Sequence, residues 1–251
     1  MNKVYFIGAG PGDPDLITVK GRKILEKADV ILYAGSLVNK EIIDCRKKNS
    51  ELYNSAHMDL EEILSLISYK VREGKLVARV HTGDPSIYGA IREQIDPLEE
   101  MGIVCEVIPG VSSFVASAAA MNKEFTLPNR SQTVICTRLE GRTPVPQRES
   151  LESLASHRAS MAIFLSVHKI EEVVKKLLVH YEEQTPVAVV QKATWKDQKI
   201  VMGTLKNISK KVKEAGITKT AQILVGDFLG DVYEFSKLYD KNFSHGYRRA
   251  K

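Results

Sequence analysis

Val4-Tyr-Phe-Ile-Gly-Ala-Gly-Pro-Gly-Asp-Pro-Asp-Leu-Ile-Thr18 is the stretch from which the rest of the chain can be read. A short apolar strand, Val4 to Ile7, runs into a loop from Gly8 to Pro14. Ile17, Ile24, Leu25 and Ala28 then recur at helical spacing. The same strand, Gly/Pro loop and helix unit returns three times in the first 120 residues. Val30 to Tyr33 is the second strand. Asp59 and Glu62 form a capping box for a helix with the buried stripe Leu60, Ile63, Leu64, Ile67 and Val71, which Gly74 ends. Leu76 to Val80 is the third strand and leads into His81 to Gly89 and a helix. Cys105 to Ile108 is the fourth, ending at Pro109-Gly110 before a small-residue helix from Ser112 to Met121. Such alternation predicts a mostly parallel sheet with its loops gathered at the carboxyl ends of the strands.

The expected organisation is two α/β domains. Residues 1–121 form the first. Residues 122–131, polar and aperiodic around Pro128, read as a linker, and 132–230 as a second domain. Its strands are Thr133–Thr137, Ala162–Leu165, Val187–Gln191, Ile200–Met202 and Gln222–Val225, with helices near Leu151–Ser156, Ile170–Val179 and Leu205–Ala215. Trp195 to Lys199 between two strands suggests a hairpin, so the second sheet is expected to be mixed.

The 251 residues are 43% hydrophobic and 27% charged, an ordinary globular composition. Cys45, Cys105 and Cys136 form neither a paired framework nor a zinc spacing, which fits a reducing cytoplasm and predicts no metal site. No leader-like segment or long apolar run is read in the sequence, so neither secretion nor membrane insertion is expected. Of the net charge of +5, four units lie in the basic tail, residues 231–251, between Lys237 and Lys251. The nearly neutral remainder argues against nucleic acid and leaves room for an acidic small molecule. The tail's aromatics predict that Lys237 to Tyr247 packs over the folded body near the cleft or the dimer contact while Arg248 to Lys251 stays mobile.

Gly8-Ala-Gly-Pro-Gly-Asp13 has the look of a dinucleotide-binding turn but fails its test. Asp13 stands where the third glycine belongs, Asp15 adds a second anion, and Ala34-Gly35-Ser36 replaces the ribose-binding acid. A nicotinamide oxidoreductase would need that acid. Gly83-Asp84-Pro85-Ser86-Ile87-Tyr88-Gly89 and Pro109-Gly110-Val111-Ser112-Ser113 are further loops at strand ends, and three together predict a ligand cleft. No nucleophile elbow, phosphate-binding lysine loop or metal cluster accompanies them. His81 is more plausible as a strand-end residue than as a base. What remains suits a reaction driven by orientation.

The first loop with Gly83-Asp84-Pro85 and Val107-Ile-Pro-Gly-Val111 resembles the signature of the tetrapyrrole (corrin/porphyrin) methyltransferases, over nearly the whole chain. Tyr33-Ala-Gly-Ser-Leu-Val38, Glu140-Gly-Arg-Thr-Pro-Val-Pro146, Phe164-Leu-Ser166, Lys192-Ala-Thr-Trp195 and the tail segment Lys237 to Tyr247 are similar to the members of that family acting on C11 of precorrin-4, most of all those whose substrate carries cobalt. The resemblance implies two α/β domains, S-adenosylmethionine in a cleft between them, a tetrapyrrole substrate and a homodimer, with cobalt arriving only inside the substrate. It implies cofactor contacts from Pro11, Thr82, Gly83, Asp84, Ile87, Ser112, Ser113, Leu165, Ala193 and Ala221. Asp13, Ser36, Tyr88 and Arg142 are the residues implied to meet the macrocycle, with Arg138 or Arg148 as further carboxylate binders. Metal-free precorrin-4, another corrin carbon, diphthine, ribosomal RNA and a binding module without turnover remain as alternatives.

Overall fold

The computed structural model describes residues 3–35 and 37–250. The chain divides into two compact units. One comprises residues 1–116 with 192–197, the other 117–191 with 198–251. The first unit thus takes in a six-residue segment that the sequence reading left in the second domain.

In the first unit β1 (Lys3–Gly8), β2 (Val30–Tyr33), β3 (Glu51–Asn54), β4 (Val77–His81) and β5 (Val104–Ile108) form a sheet in the order β3-β2-β4-β1-β5, every pair parallel. α1 (Val19–Leu25), α2 (Lys40–Ile43), α3 (Leu60–Arg72), α4 (Arg92–Glu100) and α5 (Ser113–Ala119) complete the alternation, and the division between the units falls within α5. The capping box at the start of α3 is formed as the sequence predicts. Successive strand residues face opposite ways, which gives this unit two cores. Ile7, Ile31, Ala78 and Val80 pack on one face, and Val4, Phe6, Leu32 and Val77 with Ile63, Ile67 and Leu98 on the other. β3 and α2 were not anticipated. Glu-Leu-Tyr-Asn is too short and too polar to read as a strand, and its half-exposed pattern is that of a sheet edge.

In the second unit β6 (Val134–Arg138), β7 (Ser160–Phe164), β8 (Pro186–Gln191), β9 (Lys199–Thr204) and β10 (Ala221–Val225) are ordered β6-β7-β10-β8-β9. β6 and β7 are parallel and the other pairs antiparallel, so the sheet is mixed as expected. α6 (Leu151–Ala155), α7 (Ile170–Leu177) and α8 (Ile208–Glu214) pack on it. The 122–131 segment is no free connector. Phe125 and Leu127 are buried, the Phe125 ring lies 4.6 Å from that of Phe228, and the Ser160 hydroxyl donates to Phe125 O.

The tail departs from expectation. Residues 231–244 are exposed, with Phe235, Tyr239 and Tyr247 almost fully so. Arg248, expected to be mobile, is its centre: one guanidinium nitrogen donates to Leu238 O at 2.7 Å and Asp240 O at 2.6 Å.

Candidate functional site

β1 pairs with β4 on one side and β5 on the other, so the loops that leave their carboxyl ends emerge side by side. They are tied together through main chain. Ala9 N–H donates to His81 O at 2.8 Å, and Gly10 and Gly83 exchange two bonds, at 2.8 and 3.2 Å. Only a residue without a side chain fits beneath them: a Cβ on Gly8 would stand 2.6 Å from Gly110 N and 2.7 Å from Gly83 O. Three loops singled out in the sequence therefore converge, and Pro11, Thr82, Gly83, Asp84, Ser112 and Ser113 lie on or beside the junction.

Asp84 holds this junction. Its Oδ2 accepts Gly110 N–H at 2.9 Å, and Oδ1 accepts Ser86 N–H at 2.8 Å and the Ser86 hydroxyl. Burial pushes the carboxyl up, but the bonds from Ser86 and Gly110 outweigh it and leave Asp84 below the ordinary carboxylate value. Both of its oxygens are thus used within the junction, one by its own loop and one by Gly110 of the loop after β5. Ile87 and Tyr88 stand exposed on the rim, and Ser112, buried, gives its carbonyl to Ala116 N–H at the start of α5.

The first loop is fastened from a distant part of the sequence. The Trp195 indole N–H donates to Pro11 O at 2.8 Å, and Thr194 Oγ1 accepts Asp13 N–H at 3.0 Å. Asn39 adds a bond from its amide to Gly12 O at 2.8 Å. The indole occupies the space a Cβ on Gly12 would need. Ala193, buried, belongs to the same fastening segment. Within the loop Asp13 Oδ1 accepts Asp15 N–H at 2.9 Å, which starts the turn Pro14–Leu16, and its other oxygen has no hydrogen bond among the described residues. The sequence reading took Trp195 for part of a hairpin connection. That the chain's one tryptophan sits in a connection was the available signal.

His81 is buried at the end of β4, its ring stacked on Phe6, and Nε2 has no partner among the described residues. Burial first, and then the neighbouring Arg79 charge, push it down to about 3. A neutral imidazole shut away from the loops is a structural residue, not a base at neutral pH.

In the second unit Leu165 follows β7 with φ 54° and its side chain 65% exposed. Ala221 opens β10 opposite Gln191, the last residue of β8. Both therefore lie at one end of the second sheet. Ser166 braces that end, its buried hydroxyl donating to Phe164 O at 2.6 Å and accepting Leu139 N–H at 2.9 Å. Among the three arginines considered, Arg138 is consumed by the loop, donating to Thr143 O at 3.2 Å and Pro144 O at 2.8 Å. Arg148 faces Glu149 at 3.5 Å. Arg142 is exposed and has no partner among the described residues. Ser36 lies outside the described residues. No cluster of potential metal ligands occurs among the described residues, and no helix among them is long and apolar enough to cross a membrane.

The model of the Tetrapyrrole (Corrin/Porphyrin) Methylases matches residues 3–209. The chain belongs to that family. A cobalt-precorrin-4 C(11)-methyltransferase of Methanocaldococcus jannaschii is 59% identical over 250 residues, 99% of this chain and 96% of that protein. A precorrin-4 C(11)-methyltransferase of Pseudomonas aeruginosa is 49% identical over 98% of each chain. Among solved structures, a cobalt precorrin-4 methyltransferase superposes with a TM-score of 0.89 at 50% identity, covering 91% of this methylase and 96% of that chain. A Thermus thermophilus uroporphyrin-III C-methyl transferase complexed with S-adenosyl homocysteine gives 0.76 at 25% identity, over 90% and 93%.

Proposed function

We propose that this methylase transfers a methyl group from S-adenosylmethionine to C11 of cobalt-precorrin-4, giving cobalt-precorrin-5A and S-adenosylhomocysteine in anaerobic cobalamin synthesis. The observation that carries the reading is the 59% identity, over 99% of the chain, to a relative bearing that activity in its name. S-adenosylmethionine would supply an electrophilic sulfonium methyl, which an electron-rich ring carbon takes as the methyl–sulfur bond breaks and S-adenosylhomocysteine leaves. The residues present fit such a group: the junction of Gly8, Gly83 and Gly110 brings main chain from three strand ends to one place, and Leu165 is an exposed apolar side chain held by a left-handed backbone.

In this proposal Pro11, Thr82, Gly83, Asp84, Ile87, Ser112 and Ser113 hold the methionine part and its surroundings, while Leu165, Ala193 and Ala221 serve the adenosine. The substrate belongs to the rim. Asp13 turns its unused carboxylate oxygen, Tyr88 its exposed phenol and Arg142 its unpaired guanidinium to the macrocycle, and Ser36 is the fourth such residue proposed. A guanidinium recognises a carboxylate with two parallel bonds, so Arg142 fixes the ring's orientation. No side chain need become covalently attached. Orientation and exclusion of water supply the acceleration. A homodimer in the cytoplasm belongs to the same proposal.

Anaerobic incubation with labelled S-adenosylmethionine and either cobalt-precorrin-4 or metal-free precorrin-4, followed by NMR, tests the reading. Label at C11 of the cobalt compound is expected. Turnover of the metal-free compound alone moves the enzyme to the aerobic series, and label at another carbon overturns the assignment.

A further inference from the structure

β4 carries Arg79 into the face of the first sheet that packs on α3 and α4, where only 5% of the residue is exposed. Its partners are all uncharged. Nε–H donates to Gln94 Oε1 at 3.0 Å, and a terminal nitrogen donates to Ser55 Oγ at 2.9 Å and to Leu32 O at 3.5 Å. Among the described residues no ion pair includes it. Desolvation lowers it only to about 10, so the guanidinium remains a buried, unpaired cation at neutral pH. Such a charge is expensive to bury. Its position suggests what it is for.

The two directions of the guanidinium lead to two loops. Ser55, which accepts from Arg79, donates in turn to Tyr33 O at 3.2 Å, where β2 ends. Gln94, which accepts on its oxygen, donates from its amide nitrogen to Ala90 O at 3.0 Å. Ala90 has φ 49° and Tyr88 φ 55°, a left-handed backbone that is unfavourable for a residue with a side chain. The intervening Gly89 lies against the Pro85 carbonyl so closely that a Cβ would not fit. The loop 82–90 therefore leaves β4 three residues after Arg79 and returns, at Ala90, to a bond that Arg79 sustains.

We propose that Arg79 is a positioning residue of the methylase: acting through Gln94, it holds Ala90 left-handed and thereby sets Thr82, Gly83, Asp84 and Ile87 in place for the cofactor. An ionised donor makes a stronger bond than a neutral one, and the rigid planar fork serves Gln94 and Ser55 at once, which a lysine ammonium does not. What the loop binds rests on the function proposed above; that the loop is tethered does not.

The test uses the full chain with Arg79→Met, Arg79→Lys, Gln94→Leu and the Arg79→Met/Gln94→Leu pair. S-adenosylhomocysteine affinity is read by calorimetry, the melting temperature in parallel, and hydrogen exchange over residues 84–90 by mass spectrometry. Arg79→Met removes a costly buried charge but leaves Gln94 Oε1 and Ser55 Oγ without their donor, so a modest fall in melting temperature is expected, no larger than that of Arg79→Met/Gln94→Leu. Its affinity is expected to fall about tenfold, as is that of Gln94→Leu, with the double variant no weaker than either single one. Arg79→Lys should fail to restore affinity although it keeps the charge. Unchanged affinity and exchange in folded variants, additive losses, or losses that follow the melting temperature would each overturn the tether. If Arg79→Met does not fold, Gln94→Leu decides alone. Faster exchange in the variants of a parent that binds no S-adenosylhomocysteine would uphold the tether and reject the cofactor assignment.

Discussion

The rim of the first unit and the arginine loop of the second are built in opposite ways. At the rim, main chain meets main chain: Gly8, Gly83 and Gly110 touch without side chains between them, and even the charged Asp84 spends both oxygens on the junction. Residues 140–149 are exposed except for the half-buried Val145, and the Arg138 side chain holds the loop from one flank. The first arrangement has one geometry or none. The second leaves Arg142 at liberty to move toward a partner. A fixed cradle suits a cofactor that is the same in every cycle, and a movable cation suits a large macrocycle that must be admitted and turned.

The largest expected effect breaks the fixed side. Gly8→Ala places a methyl 2.6 Å from Gly110 N in a junction of backbone atoms, none of which can rotate away. Overpacking of this kind costs about 3 kcal/mol or more. Urea unfolding should show that loss, and calorimetry should find no S-adenosylhomocysteine binding. Gly83→Ala is a milder comparison, since its Cβ would meet Ser112 Cα at an ordinary 3.6 Å and only the φ of +60° resists.

A second expectation probes the floor beneath the rim by pH. His81 accepts no proton until about 3, whereas in the unfolded chain it does so near 6.5. Its contribution is therefore complete above pH 6.5 and is lost as pH falls from there toward 3. At pH 4.5 the loss amounts to about 2–3 kcal/mol. His81→Phe, which keeps a ring against Phe6, should flatten this part of the stability profile relative to the parent. Equal slopes in both proteins between pH 6.5 and 4.5 would show that His81 is charged in the fold.

This contrast also explains what was legible in the sequence. Glycine and proline at strand ends announce themselves, so the three converging loops and the parallel sheet could be read from Gly8 to Pro14, Gly83 to Gly89 and Pro109-Gly110. The fastening of the first loop by Thr194 and Trp195 could not, because about 180 residues separate the partners. Nor could the buried role of Arg79, because only the structure shows what Gln94 and Ser55 offer it. Arg142 was one of three arginine candidates in the sequence, and only the structure shows that Arg138 is engaged by the carbonyls of Thr143 and Pro144.

On the movable side the effects are smaller and separate the two ligands. Arg142→Ala should weaken the tetrapyrrole about tenfold, read as a raised KM, and leave S-adenosylhomocysteine affinity unchanged. Arg138→Ala should act differently. It frees the loop carbonyls, so a small fall in melting temperature should accompany its rise in KM. Reversal of the two patterns would make Arg138 the ligand and Arg142 the brace.

The smallest effect belongs to the tail, where exposure is greatest. Arg248 gathers Leu238 O, Asp240 O and Phe243 O around one guanidinium nitrogen, so the final residues organise the segment before them instead of trailing from it. Deleting residues 248–251 should loosen the tail yet leave the body alone, since Phe235, Tyr239 and Tyr247 are already exposed and lose no buried area. Proteolysis between Lys237 and Tyr247 is expected to quicken severalfold, with the melting temperature within about 1 °C of the parent. A larger fall would mean that the aromatics bury surface in the protein as it exists in solution. Sedimentation of the truncated chain would then tell whether a second copy supplies that surface, because only in that case would the loss of stability deepen on dilution.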